Sequence, residues 1–77
     1  MIAHNDTLLP DHPIQRVLRY YIRCKGPHMK KAKMLAPDGN LTSRRVHAAI
    51  ISGDRVNGCL EELRELNPKW TFTAVHI

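Results

Sequence analysis

The sequence predicts a small, mainly α-helical domain with three or four helices and a short C-terminal β element. Three observations predict it. Apolar residues recur every three or four positions over residues 14–22 and 56–66, which is the period of an amphipathic helix. Glycine, proline and asparagine separate the periodic segments where turns are needed. The tail, WTFTAVHI over residues 70–77, is rich in aromatic and β-branched residues, as strands are.

The length of 77 residues allows one domain. A chain of this size buries only about 60% of the surface that its unfolded form exposes, so a deep enzyme pocket would remove much of the core. We expect an extended N-terminal arm over residues 1–12 and a single domain over residues 13–77. The N-terminal segment lacks the features of a signal peptide and no apolar run is long enough to span a membrane, so we expect a cytoplasmic protein.

The first two helices are predicted between Pro13 and the turn at Pro37. Pro13 suits the first position of a helix, and Gly26-Pro27 ends it. A weaker helical pattern covers residues 28–36, where a strand that pairs with the tail is the alternative. The buried face of the first helix is predicted to comprise Ile14, Val17, Leu18, Tyr21 and Ile22.

The next two helices flank Ser52-Gly53-Asp54. The earlier one begins at Thr42 or Ser43. Asn67-Pro68 ends the later one, and the strand over residues 70–77 then needs a partner near residues 25–29, near residues 39–42, or in a second copy of the chain. The predicted buried residues of these helices are Val46, Ala49 and Ile50, then Val56, Cys59, Leu60, Leu63 and Leu66.

Positive charge is concentrated in one part of the chain. Twelve lysines and arginines outnumber seven acidic residues, for a net charge of +5. Residues 16–33 carry seven of the positive charges and no acid. Such a cluster favours a polyanionic partner.

The sequence carries no sign of catalysis or of a metal site. Cys24 and Cys59 are predicted as buried core thiols rather than a disulfide. Cys24 and His28 have the spacing of two ligands on one helical face, but Gly26-Pro27 lies between them. The chain has no paired-cysteine zinc signature and no glycine-rich phosphate loop. We therefore expect a protein that is not an enzyme and needs no cofactor.

The order of helix, helix, helix-turn-helix and strand resembles the winged-helix variety of helix-turn-helix DNA-binding domains, over about residues 13–77. SGDRVNGCLEELREL resembles a recognition helix, and KWTFTAVHI resembles the first strand of a wing. Ala49 precedes Gly53 by four residues, as the small residue and the turn glycine do in that pattern. Cys59 and Glu62 depart from it, because larger apolar side chains usually stand there.

The resemblance implies two sets of DNA contacts. Ser52, Arg55 and Asn57 at the start of the recognition helix would contact base edges; the alternative for Arg55 is a solvated ion pair with Glu61 or Glu62. Thr42, Ser43, Arg44 and Arg45 would hold phosphates at the start of the preceding helix. The other predicted phosphate contacts are Arg16, Arg19, Arg23, Lys30, Lys31, Lys33 and Lys69.

These features predict a small sequence-specific DNA-binding protein, a transcription regulator or architectural factor of the kind found in phages and mobile elements. Residues 52–66 would be its recognition helix and double-stranded DNA its partner. A homodimer formed through the strand over residues 70–77 would fit a palindromic site. The alternative is a non-enzymatic protein-interaction module or inhibitor that binds a host protein, which the acidic half of the last helix favours.

Overall fold

The structure, a computed structural model, describes residues 16–77. Within that range five strands form one antiparallel sheet, and a 14-residue helix packs on one of its faces. A 3₁₀ turn covers Arg45–His47. The elements are β1 (Arg19–Lys25), β2 (Lys33–Leu35), β3 (Leu41–Thr42), β4 (Ile51–Ser52), α1 (Gly53–Leu66) and β5 (Thr71–His76).

Strand β1 is the centre of the sheet. β5 pairs with it over six consecutive residue pairs along one side. β2 and β4 share its other side, and β3 pairs with the far side of β2. The backbone N–H of Ala49 donates to the carbonyl oxygen of Leu35 at 2.8 Å, which links the end of β2 to the segment that enters β4. The chain therefore wraps around β1, the longest strand of the part that the structure describes.

The core lies between β1, β5 and α1. Side chains alternate between the two faces of a strand, and alternate residues of β1 are fully or almost fully buried against α1. Burying one large apolar side chain of this kind stabilises the fold by roughly 1.5–3 kcal/mol. The core cluster comprises Tyr20, Ile22, Cys24, Val56, Leu60 and Phe72.

The helix predicted up to Gly26 is wrong over residues 19–25, which form β1. RYYIRCK satisfies the two-residue period of a strand as well as part of the helical period, and pairing on both sides of β1 decides between them. Tyr20, placed on the polar face by the helical pattern, is buried, while Val17, placed on the buried face, is exposed. The predicted arm over residues 1–12 and the helix start at Pro13 lie outside the described residues.

The structure also determines the secondary structure of residues 28–36 and of residues 42–50. Residues 28–36 contain the strand β2, so the alternative of a strand rather than a helix is correct there. β2 pairs with β1 and β3, however, and not with the tail. The helix predicted over residues 42–50 is wrong, because only the short 3₁₀ turn forms there. Val46 and Ile50, predicted as buried, are 81% and 59% exposed, and Ala48 is buried instead.

The predicted fold class is therefore wrong. A mainly α-helical, winged-helix-like core of three or four helices is not what the described residues form; a five-stranded antiparallel sheet with α1 on one face replaces it. The paired helices of a helix-turn-helix are missing from residues 42–66, since α1 follows directly after β4.

Two predicted elements are confirmed. The last helix begins at Gly53 and ends at Leu66, before Asn67-Pro68, with Val56 buried at its first turn. The tail forms β5. Its partner is β1, which meets the expected range of residues 25–29 only at Lys25, opposite Thr71. No helix within residues 16–77 has the length and apolar character that crossing a membrane requires.

Candidate nucleic-acid interface

The sheet has a face that α1 does not cover. The residues of β1 that alternate with its buried ones point to that face, and the pairing registers place residues of the other four strands beside them. We call this surface the open face. It comprises Arg19, Tyr21, Arg23, Lys25, Met34, Thr42, Ser52, Thr71, Thr73 and Val75.

Three cations of β1 form a line along the open face. Arg19, Arg23 and Lys25 are all exposed. Strand residues advance by about 3.3 Å each, so the line from Arg19 to Lys25 is roughly 20 Å long. That length equals the rise of roughly six base pairs along the axis of a duplex, at about 3.4 Å each. The cations therefore have the spread needed to contact several phosphates of one backbone.

A fourth cation comes from the 3₁₀ turn. The guanidinium carbon of Arg45 lies 4.3 Å from the centre of the Tyr21 ring. A cation–π contact of this kind contributes about 0.5–1 kcal/mol at an exposed site, and it holds the guanidinium above the middle of β1. The edge of the planar guanidinium keeps N–H donors that suit a phosphate oxygen.

Among the described residues, acidic side chains lie away from this surface except at its β4 end, where the Asp54 carboxylate accepts a hydrogen bond from the Ser52 hydroxyl. None of the five strands contains an Asp or Glu. Of the five acidic residues within residues 16–77, Asp38 lies in the turn between β2 and β3 and the other four lie on α1. The open face is thus positive while α1 is mainly negative, so a polyanion is attracted to the sheet rather than to the helix.

The predicted phosphate contacts divide among several places. Arg19, Arg23 and Thr42 lie on the open face, and Arg45 lies above it. The Thr42 hydroxyl accepts a hydrogen bond from the backbone N–H of Arg44 at 3.1 Å, so this hydroxyl stabilises the loop that leads to the 3₁₀ turn.

The remaining cations lie around the rim or elsewhere. Lys30 and Lys31 are exposed in the loop between β1 and β2, which continues from Lys25. Lys33 pairs with the buried Cys24, so it lies on the helix side of the sheet. Three others are also exposed: Ser43 and Arg44 before the 3₁₀ turn and Lys69 in the turn before β5. Arg16, just before β1, is exposed and contributes to lowering the pKa of Asp54.

The three predicted base contacts are not on one surface. Ser52 ends β4 on the open face, and its hydroxyl donates to the carboxylate of Asp54, which is the main cause of the lowered pKa of that carboxyl. Arg55 is exposed and Asn57 half-buried on α1, two positions apart, a spacing that does not align side chains along a helix. Their role in base recognition stays a prediction.

Sequence reasoning missed Tyr21 and Lys25. The helical pattern places Tyr21 on a buried helix face, and it gives Lys25 no place in the site. The signal was present in RYYIRCK, where arginine, tyrosine, arginine and lysine occupy every second position. That alternation predicts one polar, cationic face of a strand.

Neither cysteine is an activated nucleophile. Burial, with a smaller contribution from Cys59, raises the pKa of Cys24 to about 11. Burial also raises the pKa of Cys59, and Glu62 adds to the effect. Both thiols are therefore protonated near neutral pH and poorly nucleophilic. The described residues contain no group of three or more His, Cys, Asp and Glu side chains placed to hold a metal ion.

Comparisons with protein-family models, with curated proteins and with solved structures found no match to this chain. The function is therefore inferred from the geometry and charge of its own surfaces.

Proposed function

We propose that this chain is a small DNA-binding protein that holds the phosphate backbone against the open face of its sheet. One observation carries the proposal: Arg19, Arg23 and Lys25 lie in a line on one strand, with Arg45 stacked on Tyr21 beside them and no acid on any strand. Sheet surfaces and strands are established platforms for nucleic acids.

The proposal places the duplex on the sheet rather than on α1. Asp54, Glu61, Glu62 and Glu65 on the helix outnumber its two arginines and would repel phosphates. The start of α1 is also occupied by the protein itself, because the N–H of Gly53 donates to the carbonyl oxygen of Leu18 at 2.8 Å. Contacts of this kind are directed mainly to the backbone, which suits an architectural factor or the general affinity of a regulator, acting in the cytoplasm.

The number of cations sets the expected salt dependence. Each phosphate neutralised on duplex DNA contributes about 0.9 to the slope of log K against log salt. The three cations of the open face together with Arg45 would give a slope of about −3.6, which corresponds to a loss of roughly 150-fold in affinity between about 50 and 200 mM salt.

The test is a titration of labelled random-sequence duplex DNA at several salt concentrations. Arg19→Gln and Arg23→Gln should each reduce the slope by about 0.9 and weaken binding on every sequence. Arg55→Gln is the matched control, because it removes the same charge from an exposed arginine of α1. Circular dichroism checks that all three variants are folded. If Arg55→Gln weakens binding more than the two sheet variants do, α1 is the contact surface and the proposal is wrong.

A second candidate is a protein-interaction module. The exposure of two large apolar side chains, Val46 and Ile50, in the segment that leads into β4 favours it, because contact with a partner would remove them from water. Absence of duplex binding at about 50 mM salt, where phosphate contacts are strongest, would leave this second function in place of the first.

A further inference from the structure

Strand β5 has one edge that no strand within residues 16–77 covers. The N–H of Ile77 donates to the carbonyl oxygen of Arg19 at 3.0 Å, next to the six residue pairs of β5 with β1. Backbone groups of alternate residues point to opposite sides of an antiparallel strand, so Val75 and Thr73 also bond to β1. The N–H and C=O groups of Phe72, Ala74 and His76 therefore point away from β1.

Beyond the contact with Arg64 at one end, residues 16–77 give this edge none of the protection that edge strands normally carry. Natural sheets guard their edges with charged side chains, prolines, bulges or very short strands. β5 is six residues long, TFTAVH, with no Lys, Arg, Asp, Glu or Pro and a continuous register with β1. Arg64 covers one end, where its Nη2 donates to the carbonyl oxygen of Phe72 at 3.2 Å. The outward groups of Ala74 and His76 lie beyond that contact.

On the open face, the side chains along this edge are all β-branched. Thr71, Thr73, Val75 and Ile77 share that face, and all four are β-branched. Ile77 is 48% exposed although it is a large apolar residue. β-branched side chains stabilise a sheet when they lie directly across from each other on neighbouring strands.

We propose that a second copy of this chain pairs with β5, antiparallel and about a two-fold axis that passes Ala74. In this register Ala74 lies opposite Ala74 of the second copy, and Phe72 lies opposite its His76. All three outward residues then lie in hydrogen-bonded pairs. About four of the six bonds have no competing partner, and the two bonds to the Phe72 carbonyl oxygens share that acceptor with Arg64 Nη2. Thr73 lies opposite Val75 and Thr71 opposite Ile77, so the register buries the exposed Ile77 against a β-branched partner.

Two features select a second copy as the occupant. The edge is complementary to itself in this register, as an isologous interface requires. Two copies with a net charge of +5 each repel one another, and β5 is a stretch of the surface with no Lys, Arg, Asp or Glu side chain. The dimer does not depend on the proposed function.

The dimer has one consequence that rests on the proposed function. A two-fold axis between antiparallel edge strands is perpendicular to the sheet, so both open faces lie on the same side. The two lines of cations would then form one continuous surface for a single duplex.

The first test uses the full chain without DNA. Sedimentation equilibrium should show the mass rising from 8.8 kDa towards twice that value as the concentration increases. Amide hydrogen exchange locates the interface: the N–H groups of Ala74 and His76 should become protected with increasing concentration, while those of Thr73 and Val75 stay protected throughout. A monomer at millimolar concentration, or a dimer in which the Ala74 and His76 amides still exchange freely, overturns the proposal.

Substitutions give the second test. Ala74→Pro removes an outward N–H that β1 does not use, and proline is tolerated at such edge positions; it should weaken the dimer at least tenfold. Ala74→Ser keeps the N–H and is the matched control, which should dimerise like the parent. Thr73→Lys places a charge on the edge without altering the backbone, so it replaces the proline variant if that variant does not fold. A dimer that folded Ala74→Pro or Thr73→Lys chains still form at parental strength overturns the proposal. Duplex binding by a strictly monomeric chain would leave the proposed function standing and the dimer refuted.

Discussion

Two valines, both predicted from the sequence as core residues, have opposite environments in the structure. Val56 on α1 is fully buried, while Val46 in the 3₁₀ turn is 81% exposed. Truncating each to alanine removes the same two carbon atoms, at about 0.8 kcal/mol of transfer free energy per buried carbon. The pair therefore tests the structure of residues 42–50 with a matched chemical change.

The expected losses differ several-fold. For Val56→Ala the lost transfer free energy is about 1.6 kcal/mol, and the cavity left behind adds to this loss. The better helix propensity of alanine offsets about 0.5 kcal/mol, so the free energy of unfolding falls by about 2 kcal/mol. For Val46→Ala only a fifth of the side chain is covered, so the loss is about 0.3 kcal/mol. At roughly 4–8 °C per kcal/mol for a chain of this size, Tm falls by about 8–16 °C for Val56→Ala and by less than about 3 °C for Val46→Ala.

The assay is thermal and urea unfolding followed by circular dichroism and by the fluorescence of Trp70. An unchanged urea m-value shows that the variants unfold from the same folded state. If Val46→Ala costs as much as Val56→Ala, Val46 packs in the core as the predicted helix would have it, and the 3₁₀ turn is wrong.

Three further predictions concern the turn between β2 and β3 and the thiols. Gly39 has a φ of 88°, so Gly39→Ala should lower the free energy of unfolding by about 1–2 kcal/mol in urea titrations. The backbone N–H of Asn40, and then its side-chain amide, hold the pKa of Asp38 below its usual range. A carboxyl with a lowered folded-state pKa stabilises the fold above its unfolded pKa, so stability should fall as the pH drops below about 4, and less so in Asn40→Ala. Thiol reagents near pH 8 should modify the half-buried Cys59 before Cys24, which should react only when the chain unfolds; equal rates would contradict the buried position of Cys24.

The sequence predicts α1 and β5 correctly because their signals are local. Helix α1 has an apolar stripe over four turns, Gly53 and Asp54 at its start and Asn67-Pro68 after its end. Strand β5 is aromatic and β-branched throughout its first half. Neither assignment needs knowledge of the partner strand, whereas the identity of that partner is a long-range property that the residues of β5 do not encode alone.

Strand β1 was missed because two periods overlap in one segment. Leu18, Tyr21 and Ile22 continue the helical spacing that starts at residue 14, while Tyr20, Ile22 and Cys24 follow the spacing of a strand. The local pattern supports both. Pairing with β5, whose residues lie about fifty positions later in the chain, satisfies the strand and is invisible to a window of a dozen residues.

The helix prediction over residues 42–50, just before β4, is wrong for an energetic reason. Residues 42–50 contain no glycine or proline, so nothing in their composition forbids a helix. An isolated helix shorter than about 12 residues is marginal in water and depends on burying an apolar face. Here the N–H of Ala49 bonds to Leu35 in the sheet, and Ala48 rather than Val46 is buried, so the extended chain gains the contacts that a helix would have needed.

The sequence predicts most of the cations of the site but not how they are arranged. Their spacing and their common face follow from the strand conformation of β1. In a helix Arg19 and Arg23 would lie one turn apart, about 6 Å along the axis, where like charges cost about 0.2–0.5 kcal/mol. In β1, Arg23 lies four residues after Arg19, so the two backbone positions are about 13 Å apart. This distance exceeds the screening length of about 8 Å at physiological salt. The strand thus lowers the repulsion between these arginines while keeping them on one face with Lys25. The alternation that buries Tyr20, Ile22 and Cys24 also turns the cations to the open face. A substitution that shifted the register of β1 by one residue would therefore bury the charges, so the core and the proposed phosphate contacts would be lost together.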